Sequence, residues 1–301
     1  MMPTLEHMGR VGAWSGQLAG LPHAQVRRAA AHIEDLGLGA LWYGEAFGRE
    51  AMALGSLILE STEHLIVASG IANIYGRDAT AMVNGARSLA ESSNDRFVLG
   101  IGISHEPLVN RRGHEYSSPY KELNGYLDAM ADVETAGPDP AEPIPVLVGA
   151  LGPRMSLLAA ERTQGVHPYF TPVSHTAATR ELIGRGTFLA PEQMVIVTND
   201  IAVARARAVR TARTYTRMAN YRRMLRSQGL GDDDMDNFSE AFFEAIFAWG
   251  DAEACAARVA EHLAAGADHV CVQVLGADDG TFPHAEWELL GPALAELAGT
   301  R

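Results

Sequence analysis

The sequence predicts an α/β protein, a (β/α)8 TIM barrel with a helical insertion between its seventh and eighth strands. Three observations carry that prediction: short apolar runs alternate with alanine-rich stretches, the runs number eight, and the first lacks the glycine fingerprint of an open nucleotide-binding sheet. The runs are "RVGAW" (10–14), "ALWYG" (40–44), "LIVASGI" (65–71), "RFVLGIG" (96–102), "IPVLVGA" (144–150), "GVHPY" (165–169), "QMVIVT" (193–198) and "HVCVQVL" (269–275). Their near-continuous apolar character suits strands buried on both faces of a parallel sheet.

Between them lie stretches with helical spacing. In "HAQVRRAAAHIEDLG" (23–37), Val26, Ala30, Ile33 and Leu36 recur every three or four residues and Gly37 supplies a stop signal. Similar stretches run over 79–92, 120–134, 153–163 and 251–267. Parallel strands with crossover helices either wind an open sheet or close into a barrel. "RVGAWSGQLAGL" carries no Gly-x-Gly-x-x-Gly, so the eightfold count favours the barrel. The stretch 203–249 is too long for one helix. It reads as an inserted helical hairpin broken at the Gly- and Asp-rich "QGLGDDDMDN" (228–237), the insertion proper covering about 220–249.

The chain has 301 residues, and barrels of this kind reach that size as one unit. No linker or repeat divides it, so residues 1–301 are expected to form one domain. With 47% hydrophobic and 20% charged residues it can build a large core. A net charge of −13 opposes binding to nucleic acid or anionic membranes. The two cysteines, Cys255 and Cys271, have no Cys-x-x-Cys spacing and suit buried thiols in a reducing compartment. Without a signal-like or spanning apolar segment, the expected location is cytoplasmic.

A barrel places its chemistry at the C-terminal ends of its strands, where the loops converge. There the second run leads to Gly44 and Glu45, the third to Gly70, Ile71 and Asn73, and the fourth to Gly102, Ser104, His105 and Glu106. The fifth leads to Gly149, Ala150, Leu151, Gly152 and Arg154, and the sixth to His167 and Tyr169. His105 is the foremost candidate acid/base, because an ordinary imidazole titrates near neutrality. "GISHE" lacks the second glycine of a hydrolase nucleophile elbow, and the 11 histidines show no His-x-x-x-His pair, so no metal site is expected. "GALGPRM" runs from strand straight into helix, and its free N–H groups with Arg154 suit a phosphate; an ordinary tight connection is the alternative. The arginines at 205, 207, 210, 213, 217, 222, 223 and 226 form a basic strip, read either as a solvated face or as a site for an anionic cofactor tail.

With "LWYGEA", "SGIANIYGRD", "LGIGISH" and "GALGPRM" at successive strand ends, the sequence resembles the luciferase-like family over about residues 10–276. The family comprises barrel oxidoreductases that use FMN or the deazaflavin coenzyme F420, and "GIANIYGRD" and "HVCVQVL" are similar to its F420-dependent branch. The resemblance implies a cis peptide at Gly70–Ile71 behind the deazaflavin ring, Asn73 on the ring's polar edge and Glu45 beside it. Ala46 stands where some relatives carry histidine. It also implies a phosphate turn at Ala150, Leu151, Gly152 and Arg154, with Gly102, Tyr169 and Thr171 lining the cofactor. Ile103 occupies the position of a glutamate acid in sugar-phosphate dehydrogenases of the family, so proton handling passes to His105 or Glu106. The expected activity is F420-dependent hydride transfer to or from a small organic substrate, in a homodimer. The alternatives are an FMN-dependent monooxygenase and a non-catalytic flavin-binding barrel subunit.

Overall fold

A computed structural model describes residues 2–298. Its strands are β1 (Val11–Ser15), β2 (Ala40–Tyr43), β3 (Ile66–Ser69), β4 (Ala72–Asn73), β5 (Phe97–Gly102), β6 (Val146–Val148), β7 (Gly165–Val166), β8 (Phe188–Leu189), β9 (Glu192–Val197), β10 (Phe247–Gly250) and β11 (Val270–Val274). They pair in the order β10-β9-β11-β1-β2-β3-β5-β6-β7-β8, with β4 beside β5, and every ladder between them is parallel. All eight expected runs contain strand.

Only Ala190 and Pro191 separate β8 from β9, yet β8 pairs with β7 while β9 pairs with β11. On one side Ala190 N donates to Val166 O and Glu192 N to Pro168 O; on the other Cys271 N donates to Pro191 O. The two sides of the sheet therefore meet on one continuous stretch of chain, and the sheet curls. Pro191 lacks an N–H, which fits a residue that only accepts at this seam.

The insertion differs from the expected hairpin. It holds four helices, Ile201–Tyr215, Ala219–Ser227, Asp232–Asn237 and Glu240–Ile246, and ends in β10, which the sequence reading had placed within the insertion. Asp232–Asn237 forms because its three leading aspartates face the positive end of the helix, Gly231 N donates to Asp234 Oδ2 at 2.8 Å, and Met235 is buried. Three long helices escape the periodicity for physical reasons. Ala51–Leu59 is buried on most faces, Val173–Ile183 buries His175, Thr176, Thr179 and Arg180, and His284–Ala298 contains Pro292.

Trp14, Trp42, Ala68, Val98, Leu147 and Cys271 form one buried cluster on the inner face of the sheet. Side chains alternate along a strand, so the position two residues further on shares that face. On β1, β2, β3, β5 and β6 that position is glycine: Gly16, Gly44, Gly70, Gly100 and Gly149. A ring of missing side chains thus caps a filled interior. Cys255 and Cys271 are both free and buried.

Candidate active site

The C-terminal ends of β3 and β5 are shaped around one feature, a cis peptide at Gly70–Ile71. Gly70 N donates to Tyr43 O at 2.7 Å, Trp14 Nε1 donates to Gly70 O at 3.3 Å, and Glu45 N donates to Ile71 O at 3.3 Å. Two neighbouring glycines make room for the bulge. A Cβ on Gly102 would lie 2.9 Å from Ile71 Cγ1, and one on Gly149 would lie 3.0 Å from Ile71 Cγ2. Gly100 has a different reason: a Cβ there would fall 1.9 Å from the Ser69 carbonyl oxygen, and the Ser69 hydroxyl both donates to Gly100 O and accepts from Gly100 N. The glycines that end "FVLGIG" therefore bring β3 and its bulge against β5.

Glu45 supports this bulge from behind. Its side chain is 4% exposed; Oε2 accepts from Asn73 N at 2.8 Å, Oε1 accepts from Ala51 N at 3.1 Å, and Oε1 also pairs with Arg77. Arg77 reaches Glu50 as well, at 2.5 Å. The carboxylate is fully engaged within the protein and holds Asn73 in place. The Asn73 side chain accepts from Tyr75 N through Oδ1 at 3.0 Å, while its Nδ2 is buried without a partner among the described residues. A buried donor with no acceptor is costly, so this amide is complementary to a ligand carbonyl.

His105 is half-buried and turns toward the insertion. Asn220 Nδ2 donates to its Nδ1 at 3.3 Å, and its ring lies 5.4 Å from that of Tyr221. Burial lowers its pKa to about 4, so the imidazole is neutral near neutral pH and carries its hydrogen on Nε2. Glu106 is exposed on the first turn of Glu106–Arg111, and among the described residues no hydrogen bond joins His105 to Glu45 or Glu106. The sequence grouped these three as proton-handling candidates; in the structure each has its own surroundings.

Ala150 is buried, and the carbonyl of Leu151 bonds His175 Nε2 at 2.9 Å. Gly152 is exposed with open space around its Cα and caps Pro153–Arg162, where Arg154 lies over the Tyr120 ring at 4.9 Å. Tyr169 donates to Gln273 Oε1 at 2.8 Å, bonds the Tyr215 hydroxyl at 2.9 Å and packs 5.0 Å from Trp14. Thr171 is buried and its hydroxyl has no partner among the described residues. Much of the arginine strip is neutralised: Arg205, Arg207, Arg210, Arg222 and Arg226 all pair with carboxylates.

Residues 7–269 match the model of the luciferase-like monooxygenase family. The chain belongs to that family. It is 26% identical over 192 residues to a proposed coenzyme F420-dependent oxidoreductase of Mycobacterium tuberculosis, covering 54% of each chain. It spans about half the length of the curated relatives it matches. Among solved structures, an F420-dependent secondary alcohol dehydrogenase in complex with an F420–acetone adduct superposes with a TM-score of 0.75 at 15% identity, covering 95% of this chain and 99% of that one. A riboflavin lyase with modified FMN superposes with a TM-score of 0.73 at 10% identity, covering 96% and 92%. These likenesses establish a shared fold.

This luciferase-like chain holds two further groups, His167, which the sequence places at the end of the sixth run without a role, and Glu192, which it does not single out. His167 stacks on Trp42 at 4.6 Å, and its Nδ1 donates to Ala190 O at 2.7 Å. Burial lowers its pKa to about 4, so Nε2 keeps a lone pair, buried and unpartnered, 2.9 Å from where a Gly70 Cβ would stand. Glu192 is 1% exposed; Oε2 accepts from Phe170 N at 3.1 Å and Oε1 has no partner among the described residues. The only local signal for either was a polar residue beside an apolar run. Among the described residues no group of three His, Cys, Asp or Glu is placed to hold a metal, and no helix is long and apolar enough to cross a membrane.

Proposed function

We propose that this chain is an F420-dependent oxidoreductase acting on a small organic substrate, on a closed (β/α)8 barrel whose seam is the β8–β9 run. The observation that carries the reading is the Gly70–Ile71 bulge with the unpartnered Asn73 amide beside it. When bound, the deazaflavin accepts or donates a hydride at its C5 carbon. Ile71 backs the ring, Asn73 Nδ2 donates to its polar edge, and the glycine ring leaves the mouth open to it. The Leu151–Gly152 turn and Arg154 hold a phosphate, and Tyr169 and Thr171 line the remaining wall. Glu45 keeps Asn73 in register through the protein and does not touch the reacting atoms. Oxidation of a substrate C–H removes a hydride and leaves one proton on the substrate heteroatom; reduction reverses both transfers. His105, neutral with hydrogen on Nε2 and Nδ1 taken by Asn220, orients that heteroatom by donating a hydrogen bond, and the proton itself is exchanged with water.

Titration of the protein with F420 and with FMN, followed by absorbance and fluorescence, tests the assignment. Saturable F420 binding with reduction by a secondary alcohol, or oxidation by a carbonyl or imine acceptor, is the expected result. Exclusive FMN binding replaces the reading with a monooxygenase, and binding without turnover on any such substrate replaces it with a non-catalytic subunit. In a turnover assay His105→Ala lowers kcat by about 10²-fold with cofactor affinity retained; an unchanged kcat removes His105 from the chemistry.

A further inference from the structure

Glu192 has the geometry of a working group with no assigned task. It sits on β9 at the seam of the sheet, paired in register with Cys271, and its own N–H donates to Pro168 O. Its Oε2 holds Phe170 N, and Phe170 has a φ of 58°, a left-handed conformation unusual for a side-chain-bearing residue. One residue thus grips the chain on both sides of Tyr169. The stretch it grips carries two buried, unpartnered polar atoms, His167 Nε2 and Thr171 Oγ1, and Glu192 Oε1 is a third.

The groups facing this carboxyl are Tyr169 from the loop after β7, Tyr215 and Tyr221 from the insertion helices, and Cys271 from β11. None of these is a cation, and no ion pair of Glu192 occurs among the described residues. Burial pushes its pKa up to about 8, while those of Tyr169, Tyr221 and Cys271 are raised well above their usual values and that of Tyr215 to about 12. Glu192 is therefore the one member of this group that titrates near the upper physiological range.

We propose that Glu192 is a positioning residue of the cofactor mouth: by accepting from Phe170 N, its carboxyl group holds the Tyr169–Thr171 segment in place for the ligand. On ionisation the bond from Phe170 N is kept, but an uncompensated negative charge appears beneath a mouth that receives an anionic cofactor and draws water toward the unpartnered Oε1. The inference rests on the deazaflavin reading for its ligand, and on the clamp geometry for the positioning.

The test uses the whole protein as wild type, Glu192→Gln and Glu192→Ala, with two readouts. F420 affinity is measured by fluorescence across the pH range around about 8. Wild type is expected to weaken by up to about tenfold per pH unit above the transition. Glu192→Gln keeps tight binding and loses the pH dependence, and Glu192→Ala binds weakly throughout because Phe170 N has lost its acceptor. Without cofactor, tryptophan emission reports through Trp14, which touches Tyr169, and a transition near pH 8 is expected in wild type and absent in Glu192→Gln. If Glu192→Ala does not fold, the comparison of wild type with Glu192→Gln decides. The same pH profile for both in either readout overturns the proposal. Failure of wild type to bind F420, with the cofactor-free transition intact, overturns the functional reading and leaves the clamp standing.

Discussion

The two walls of the mouth are built on opposite principles. The wall from β2 to β6 is largely closed on itself: Glu45, Asn73 N, Ala51 N and Arg77 satisfy one another, Gly100, Gly102 and Gly149 bring backbone and the Ile71 side chain into contact, and Asn73 Nδ2 is the unpartnered donor beside the bulge. The wall from β7 to β9 is left incomplete, with His167 Nε2, Thr171 Oγ1 and Glu192 Oε1 buried and unpartnered. Buried polar groups without partners destabilise a fold, so stability is concentrated in the first wall and most of the unmet hydrogen-bonding capacity in the second. Substitutions in the first wall are expected to cost stability, whereas a well-chosen one in the second adds to it.

The largest expected effect is at Glu45. Glu45→Ala leaves Arg77 with only the half-exposed Glu50 and strips two backbone donors, and is expected to destabilise by about 3 kcal/mol or more, read from the urea midpoint. A loss within a few tenths of a kcal/mol would break the contrast, since the first wall would then not depend on its buried pair. Next comes Gly100→Ala, whose new methyl group must displace the Ser69 carbonyl. Overpacking of this kind costs about 3 kcal/mol at its upper end, and the same unfolding experiment reads it.

The third effect has the opposite sign and sharpens the comparison most. Glu192 has its pKa raised from 4.5 to about 8, so between those values the folded state binds the extra proton. The stability it contributes is complete below the lower value and is lost as pH rises through the higher one, with a slope of at most about 1.4 kcal/mol per pH unit. Unfolding midpoints of wild type should therefore fall across that window relative to Glu192→Gln, which keeps a neutral group and becomes the more stable protein near pH 8. Parallel pH curves would show that the carboxyl is not held neutral by the fold.

How much of this was legible follows from the range of each interaction. The eight strands and five of the helices read directly, because apolar runs and three-to-four spacing are local. Gly70, Asn73 and Gly102 were legible as glycines and polar groups at strand ends, and Gly102 proves to make room for the Ile71 bulge on the neighbouring strand. His105 was visible, but its partners Asn220 and Tyr221 lie more than a hundred residues away in an insertion whose fold back onto the strand ends is not local information. Glu192 was hidden because a single glutamate before "QMVIVT" reads as a strand flank; only the pairing of β8 and β9 with different neighbours shows it to be interior. Glu45 was legible as an acid at a strand end, whereas its commitment to Arg77 and Asn73 depends on a loop 28 to 32 positions further on.

The seam also has a bearing on the order of assembly. Val11 pairs with Val270, so β1 waits for a partner from the far end of the chain. On a ribosome, β1 to β8 emerge and can associate while the edges of β1 and β8 stay unpaired, and such edges are prone to wrong partners. The ladder between β1 and β11 forms only after the four insertion helices and β11 have been synthesised. The length of the insertion therefore sets how long a nascent chain carries two open edges, a delay that a more compact connection between β9 and β11 would shorten.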